Sequence, residues 1–456
     1  MAHLMRVEEM EDYGYFWLPE DAQADHRVPG VLRVAPSGAV ALETFGLMGD
    51  EPRSLASAFT ASDAQSTRRI LGVTRNHGNV TLDGCLRTEN KLQSRTRDAS
   101  FVGGTYRATW LYVGLLYEPE EIICFSRVTF TVEGLDEWLA MSGIRVDGDA
   151  RGGHATISFR APQAIALPEL QHRESGKIGF GLSIPSAWKE TKEARVSQLA
   201  YVELSTDELW TADEATRRVM WFRDFLRLAM DQSVAARGLT GYSRDVTEPA
   251  PGGGERESEI GIVYEERDQG EAERKLLGAL MMFQRSDLND DLYVCLARWF
   301  EMYSAHYQPF RLYFSAVDSS RASTVDEKFR QLTEALETLD KALNGASTRK
   351  LRKRIQRLTE PFAEHLGLEE PSEEFGRTVA RTRNVVVHHI PAEDHDVPRG
   401  PELIRITYQC ELLLIFHFVA VVTGSTDSAL KLIKDREALA RRLWVVVKRW
   451  TDSSPV

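Results

Sequence analysis

The chain has 456 residues, which is more than one typical hydrophobic core holds, so we expect about two or three domains. Hydrophobic residues make up 43% and charged residues 27%, and this composition excludes a largely disordered chain. The formal net charge of −12 argues against a protein that coats nucleic acid through a broad basic surface, although a local basic patch is compatible with it.

Cysteine usage and hydropathy indicate a reducing, aqueous compartment. No two cysteines form a C-x-x-C pair, which favours reduced thiols over disulfides or a zinc site. The cysteines are Cys85, Cys124, Cys295 and Cys410. The N-terminus has no apolar run of signal-peptide length, and the most apolar stretch, residues 412–422, is too short to span a bilayer. We therefore expect a cytoplasmic protein with a buried helix at 412–422, no membrane contact, no metal and no cofactor.

The first 205 residues contain many short runs of alternating apolar and polar residues, separated by turn residues. The segment Pro36-Ser37-Gly38, for example, divides residues 31–46 into two strands of a predicted hairpin. The predicted strand regions are 13–19, 31–46, 104–117, 121–134, 154–160, 177–185 and 198–205. Such a pattern is typical of an antiparallel sandwich or barrel-like domain, and we expect the sandwich-like form over residues 1–205.

The pattern changes to helical spacing after residue 205. Residues 206–271 are expected to be a helical connector and linker, with a helix at 211–230 capped by Thr211 and a Pro/Gly-rich break at 247–259. Residues 272–456 are expected to form an all-α bundle, so the fold class is α+β. The predicted bundle helices are 275–285, 292–307, 325–343, 348–366, 372–390, 402–424 and a last one that reaches Trp450.

One stretch of the bundle, RTRNVVVHH from Arg381 to His389, has residues suited to chemistry on phosphates. Arg383 and His388 flank the apolar stripe of the helix at 372–390. On a helix they are separated by about 140°, whereas Arg381 and His388 share one face. Spacing alone therefore leaves open which arginine acts with which histidine, and a site formed between two copies of the bundle would relax the constraint.

An imidazole and a guanidinium together fit the cleavage of RNA without a metal. The imidazole takes a proton from the ribose 2′-OH or gives one to the leaving 5′-oxygen, and the guanidinium binds the phosphate. The alternative is a solvated helix end, because an Arg followed four to six residues later by a His occurs about once by chance in a chain of this size.

The sequence Arg383-Asn384-Val385-Val386-Val387-His388 resembles the R-(polar)-x-x-x-H motif of HEPN-domain ribonucleases. The N-terminal segments GYFWLP, VPGVL and GAVALETFG are similar to the β-rich N-terminal domain of ApeA-type anti-phage proteins, in which a HEPN bundle follows. The resemblance implies that Arg383 and His388 are the catalytic pair and that Asn384 orients the site. His389 and Arg381 are possible additional members.

The same resemblance implies a homodimer through the HEPN bundle, with the motif helices facing each other. It also implies RNA cleavage during infection, which stops host growth. The β domain would then hold the enzyme inactive until a phage-derived trigger protein binds. The alternative is a non-catalytic HEPN module for dimerisation or RNA binding, with the β domain as the binder of a ligand or phage protein.

A basic run at residues 349–357 is a candidate RNA contact, with a solvated helix face as the alternative. Its candidate residues are Arg349, Lys350, Arg352, Lys353 and Arg354. Acids on the preceding helix could partner this run, or could form ordinary surface ion pairs. These acids are Glu334, Glu337 and Asp340.

Other histidines and aromatic residues are expected to be structural. We predict this for His365 and His417, which have apolar neighbours. A mixed group of histidines and acids follows the motif, and we expect it to bind no metal. The group is His388, His389, Glu393, Asp394, His395 and Asp396. The N-terminal aromatic residues could form a recognition surface, but packing is the commoner role in an alternating strand. They are Tyr13, Tyr15, Phe16 and Trp17.

Overall fold

The structure is a computed structural model. It describes residues 10–21, 26–46, 48, 68–94, 100–149, 153–170, 173–183, 196–249, 253–265, 277–318, 324–345, 348–368, 370–388 and 397–447.

The N-terminal strands close into an antiparallel barrel. Within the barrel, the two halves of strand β5 (Gly78–Ser94) pair with different neighbours: residues 78–85 pair with β4 and residues 86–94 pair with β6. The six barrel strands follow the order β5-β4-β1-β2-β3-β6, and β6 returns to β5. They are β1 Met10–Trp17, β2 Val28–Val34, β3 Val40–Thr44, β4 Arg68–Thr74, β5 Gly78–Ser94 and β6 Ser100–Ala108. The expected sandwich-like form is therefore wrong, because the sheet closes on itself through β5.

The barrel has its own interior. Phe16, Leu32, Leu42 and Leu82 are fully buried there, since alternate residues of each strand point inward. The predicted hairpin at 31–46 is confirmed: β2 pairs with β3, and Gly38 takes the left-handed backbone conformation that the tight turn requires.

The same sheet continues beyond the barrel into seven more strands. From the barrel outward the order is β7-β17-β14-β8-β13-β12-β11. These strands are β7 Trp110–Val113, β8 Cys124–Val132, β11 Ile165–Leu167, β12 Glu174–Ser183, β13 Ser197–Thr211, β14 Ala236–Tyr242 and β17 Ile260–Tyr264. Two separate hairpins join β9 Ile144–Asp149 to β10 His154–Phe159, and β15 Thr247–Pro249 to β16 Glu255–Glu257. Residues 206–271 thus contain sheet strands as well as the predicted helix.

That helix, α2 (Ala212–Met230), lies between the sheet and the bundle; a short helix α1 (Leu135–Leu139) precedes it in the chain. Thr211 caps α2 as predicted, and its hydroxyl accepts a hydrogen bond from the Glu214 amide at 3.3 Å while Glu214 binds back to Thr211. Fifteen of the nineteen residues of α2 are buried. The helix is buried on several sides because its neighbours are β8, β13 and β14 on the sheet and α3 and α8 in the bundle.

Eight helices form the C-terminal bundle within the described residues. They are α3 Leu292–Ala305, α4 Tyr307–Val317, α5 Val325–Asn344, α6 Leu351–Thr359, α7 Ser372–His388, α8 Pro401–Thr423, α9 Thr426–Ile433 and α10 Glu437–Val447. The central helix is α8, which contacts α3, α5, α9 and α10. Among the described helices only α8 is long and apolar enough to cross a membrane, but most of it is buried in the protein. The predicted core helix at 412–422 is thus confirmed.

One predicted helix is wrong. The segment predicted as a helix at 275–285 is not helical from residue 277 onward. It forms a 3-10 turn at Gly278–Leu280, then extended chain, and then a second 3-10 segment at Arg285–Asp291. Met281, Met282 and Phe283 are consecutive and all fully buried. On an α-helix the side chains of three consecutive residues would span about 200° around the axis. A helix that packs on the core with one side could not bury all three. Residues 275 and 276 lie outside the described residues.

The bundle and α2 are joined by aromatic packing and a buried ion cluster. Trp299 donates its indole N–H to the carbonyl of Trp221 at 2.8 Å. The Tyr303 hydroxyl donates to Asp224 Oδ2 at 2.7 Å, and Arg223 binds the other carboxylate oxygen at 2.8 Å. Burial raises the pKa of Tyr303, so the phenol stays protonated and acts as a donor.

We expect Tyr303→Phe to lower the free energy of unfolding by about 1–3 kcal/mol, because it leaves one oxygen of the buried Asp224 without this donor. Urea denaturation of the full chain measures this change. Tyr307→Phe is the matched control, since Tyr307 is 57% exposed and should change stability little. Equal effects of the two substitutions would contradict a role for the Tyr303 hydroxyl in joining α2 to α3.

Candidate active site

Helix α7 is held by its buried face. Phe375 and Val379 are 1% and 0% exposed, and Val386 packs against the same core. Gly376 allows α6 to approach closely, because a Cβ at this position would lie 2.5 Å from the carbonyl oxygen of Arg352. The two helices are therefore packed backbone to backbone near the start of α7, and the position of α7 in the bundle is fixed.

The opposite side of α7 presents a polar stripe. Arg377, Arg381 and Asn384 are exposed and follow one another at helical steps of four and three residues. The helix continues to His388, so backbone register places position 388 on the same stripe, one turn beyond Asn384. Thr382, on the buried side, donates its hydroxyl hydrogen to the Thr378 carbonyl at 2.8 Å.

Arg383 lies on the flank between this stripe and the core, and it is half-buried. Within the described parts of the chain, no carboxylate forms an ion pair with its guanidinium. Because α7 is helical through His388, positions 383 and 388 are separated by about 140° in one copy. Within one copy, position 388 therefore lies on the same stripe as Arg381 and Asn384, whereas Arg383 lies on the neighbouring side of the helix.

The remaining part of the predicted motif region, His389 and residues 390–396, lies outside the described residues. This includes the His and acid cluster considered for a metal. In the ranges that are described, no group of three or more His, Cys, Asp or Glu side chains is placed to hold a metal ion.

A depression of about 360 Å³ lies on α6, beside the first turns of α7. It is lined by Arg349, Lys350, Arg352, Lys353, Gln356, Arg357 and Glu360. Cations of the predicted basic run therefore line one concave surface. Lys353 Nζ lies 3.2 Å from Glu373, which is at the start of α7, so the depression borders the helix that has the motif.

Arg354 does not belong to that surface. It is 3% exposed, and its Nη1 donates to Asp340 Oδ2 at 2.9 Å. Arg357 also binds Asp340, at 2.9 and 2.7 Å. The fully buried Asp340 is thus the acidic partner of the basic run, whereas Glu334 and Glu337 form the expected surface pairs within α5. The burial of Arg354 argues against its expected contact with RNA, because a buried, paired guanidinium fixes α6 to α5 instead.

His417 is structural, as predicted. It is 9% exposed, and its Nε2 lies 2.9 Å from the carbonyl oxygen of Leu358. Burial disfavours the charged imidazole and lowers the pKa of His417 to about 4. Its neutral ring can donate to Leu358 and joins α8 to α6. His365 lies half-buried at the end of the 3-10 segment Glu360–His365.

The N-terminal aromatic residues have two different roles. Phe16 and Trp17 are buried in packing, whereas Tyr13 and Tyr15 are each 57% exposed on the outside of the barrel. Alternation along β1 separates Phe16, which points into the barrel, from Tyr13 and Tyr15. Trp17 follows the outward phase of Tyr13 and Tyr15 but is only 4% exposed, and the Arg27 guanidinium lies 4.4 Å from its ring centroid. The outer face of the barrel thus carries two accessible phenols.

A polar cluster on the barrel surrounds one buried carboxylate, and no sequence motif predicted it. Asp12 is fully buried and accepts a hydrogen bond from the Asn76 amide at 3.1 Å, and His77 Nδ1 lies 2.7 Å from it. Burial by itself would raise the pKa of Asp12, but hydrogen bonds from His77, Thr74 and Asn76 outweigh it and hold the pKa below its ordinary value. The cluster anchors the β4–β5 turn on β1. The only sequence signal was an acid at an inward position of an aromatic strand.

Two family models match the chain. The model described as ApeA N-terminal domain 1 matches residues 11–299, and the model described as Apea-like HEPN matches residues 295–428. The second match contains α7 with Arg383 and His388, and the first covers more than half of the chain. No curated protein and no solved structure matches the chain.

We expect the stability of the protein to fall as the pH is lowered from 6.5 to 5, with a contribution from His417 of up to about 1.4 kcal/mol per pH unit. The folded state keeps this imidazole neutral down to about pH 4, whereas the unfolded chain binds the proton near pH 6.5. The contribution of His417 to the free energy of unfolding is thus fully present above pH 6.5 and is lost progressively as the pH falls towards 4. Urea denaturation across this range should show a smaller slope for His417→Gln. His154→Gln is the control, because His154 is exposed in the fold and should leave the slope unchanged.

Proposed function

The chain belongs to the ApeA-type proteins with a C-terminal HEPN domain, and from this membership we propose that it is a metal-independent endoribonuclease in defence against phage. HEPN domains are typically ribonucleases, which supports a nuclease at a coarse level. The observation that carries the proposal is the position of the R-x4-H motif: it lies inside the HEPN match, on a helix that is fixed by one face and exposed on the other.

In the proposed reaction the ribose 2′-oxygen attacks the adjacent phosphorus and the bond from phosphorus to the 5′-oxygen breaks. His388 acts as the general acid or base that moves a proton between these oxygens. Arg383 binds the phosphate and stabilises the charge that develops in the transition state, and Asn384 orients the group. The products are a 2′,3′-cyclic phosphate and a 5′-OH. The 2′-OH is the nucleophile, so the protein need not supply one.

We propose that the site is completed in a homodimer whose α7 helices face each other. In one copy, Arg383 and position 388 point about 140° apart. A two-fold axis beside the exposed stripe would bring Arg383 of one copy towards His388 of the partner subunit. His389 and Arg381 are proposed as additional members of the site.

Regulation is proposed to come from the β domain. An RNase of this kind harms its host when it is always active, so the inactive state must dominate until a phage-derived trigger protein binds. Helix α2 supports a physical route, because it packs on both the sheet and the bundle. The site of action would be the cytoplasm.

The second candidate is a non-catalytic HEPN module that dimerises or holds RNA, with the β domain as the binder. The exposed Tyr13 and Tyr15 on the barrel favour this alternative, since accessible aromatic side chains are common in binding surfaces. Substitution of His388 distinguishes this module from the enzyme, because only the enzyme needs His388.

Substitutions on α7 test the catalytic pair. We expect His388→Ala to lower the RNA cleavage rate by about 10²–10⁴-fold, because a general acid or base is lost, and to abolish protection in a phage plating assay. If Arg383 binds the phosphate, Arg383→Ala should lower cleavage in the same way. If Arg381 on the exposed stripe binds it instead, Arg381→Ala should lower cleavage. Arg377→Ala is the control on that stripe. Full protection by folded His388→Ala protein would refute the enzyme and favour the binding module.

Mixed dimers test the shared site. We expect co-expressed Arg383→Ala and His388→Ala chains to regain cleavage, because one of the two sites in a mixed dimer then has both wild-type residues. Each chain alone should be inactive. Differently tagged chains, purified together, give the mixed dimer whose total RNA cleavage is measured. Inactive mixed dimers would indicate that each site takes both residues from one copy.

A further inference from the structure

The depression on α6 has the composition of a phosphate-binding surface. Five of its seven lining residues are cationic and one is a carboxylate, although the whole chain has a net charge of −12. Among the described residues, no aromatic or aliphatic side chain lines it. It thus offers charge and hydrogen-bond donors, but no aromatic face on which a base could stack.

Three of the five cations have no carboxylate partner among the described residues. Lys353 is bound by Gln356 and Glu373, and Arg357 is bound by the buried Asp340. Arg349, Lys350 and Arg352 are exposed, and within the described parts of the chain none of them has a carboxylate partner. Like charges this close repel one another, so the fold bears an electrostatic cost here that an anion would relieve.

The start of α6 adds to that cost. Lys350 precedes its first turn without a capping side-chain bond, and the first turn has no acid. By contrast, α5 and α7 begin with acids, which complement the partial positive charge of a helix start. The cations of the depression thus increase an existing positive potential.

We propose that this depression binds the backbone phosphates of the RNA strand that α7 cuts, at a distance from the cleaved bond. This inference rests on the proposed function. Gly376 of α7 packs against α6 at Arg352, and Arg383 follows seven residues later, which is about 10 Å along the helix. A strand held at the motif therefore reaches the depression within a few nucleotides.

The shape favours a polymer over a small nucleotide. Ligand pockets usually bury most of their ligand and have apolar walls, whereas this depression is open and lined by charged and polar residues. The contacts would be independent of base sequence and sensitive to salt. They would lengthen the RNA that is bound without choosing the bond that is cut.

The test compares two pairs of substitutions in the full-length protein. Lys350→Gln with Arg352→Gln removes two cations from the depression, and Lys431→Gln with Lys434→Gln removes two exposed cations from the region of α9. Both variants change the net charge equally. Each is combined with His388→Ala, so that a labelled single-stranded oligoribonucleotide is not cut during binding measurements.

Fluorescence anisotropy at increasing KCl gives the slope of log Kd against log salt. We expect the α6 pair to reduce this slope by about 1.4, which is about 0.7 for each phosphate that the variant no longer neutralises. The α9 pair should leave it unchanged. An unchanged slope for the α6 pair, or an equal reduction for the α9 pair, would overturn the proposal. Binding of the wild type to anionic lipid vesicles instead of RNA would overturn it as well.

Cleavage provides the second measurement, now with His388 intact. The α6 pair should raise KM for a long single-stranded RNA and leave cleavage of a dinucleotide unchanged, since a dinucleotide does not reach the depression. Equal losses on both substrates would place these residues in the active site and overturn the separate role. If the wild type cuts neither RNA, the proposed ribonuclease fails, while the salt slopes still decide whether α6 binds phosphates.

Discussion

The burial of α2 between the sheet and the bundle is the constraint on which the rest of the structure depends. The helix takes Arg218, Arg223, Asp224 and Arg227 out of water, and a buried charge is costly unless it is paired. Arg218 is bound by Glu174 of β12, Asp224 by Tyr303 of α3, and Arg227 by the carbonyl of Phe314 in α4. These partners come from the sheet and from the bundle. Satisfying the charges of one helix therefore fixes both parts relative to each other.

A second set of ion pairs extends this constraint across the bundle. Asp231, just after α2, binds Arg442 of α10, and Arg442 also binds the buried Glu411 of α8. Lys328 of α5 binds the same Glu411 at 2.7 Å. Burial by itself would raise the pKa of Glu411, but the two cations hold it below its ordinary value, so it stays ionised. The end of α2 is thereby linked to three bundle helices, and a change in the sheet has a physical path to α5 and the helices packed on it.

The candidate site lies at the end of this chain of contacts. Helix α5 is joined to α6 through Asp340, and α6 packs on α7 through Gly376. This arrangement places buried ion pairs beneath the surface, and it leaves Arg349, Lys350 and Arg352 without a carboxylate partner in the described parts of the chain. Several cations therefore lie together on α6 and on the polar stripe of α7, so a protein with a net negative charge still carries a local cluster of positive charge.

Local sequence determined the features that depend on near neighbours. The cap at Thr211, the hairpin turn at Gly38, the apolar helix α8 and the helix that contains Arg383 and His388 all follow from residues a few positions apart. Only the tertiary structure decided the closure of the barrel through β5, a polar-rich strand whose two halves find different partners. It also decided which cations of one short run are buried: Arg354 meets Asp340, while Arg352 faces solvent. Periodicity gives the direction of a side chain from its own element, but its partners come from elements far away in the sequence, and these set both the closure of the sheet and the charge left on the surface.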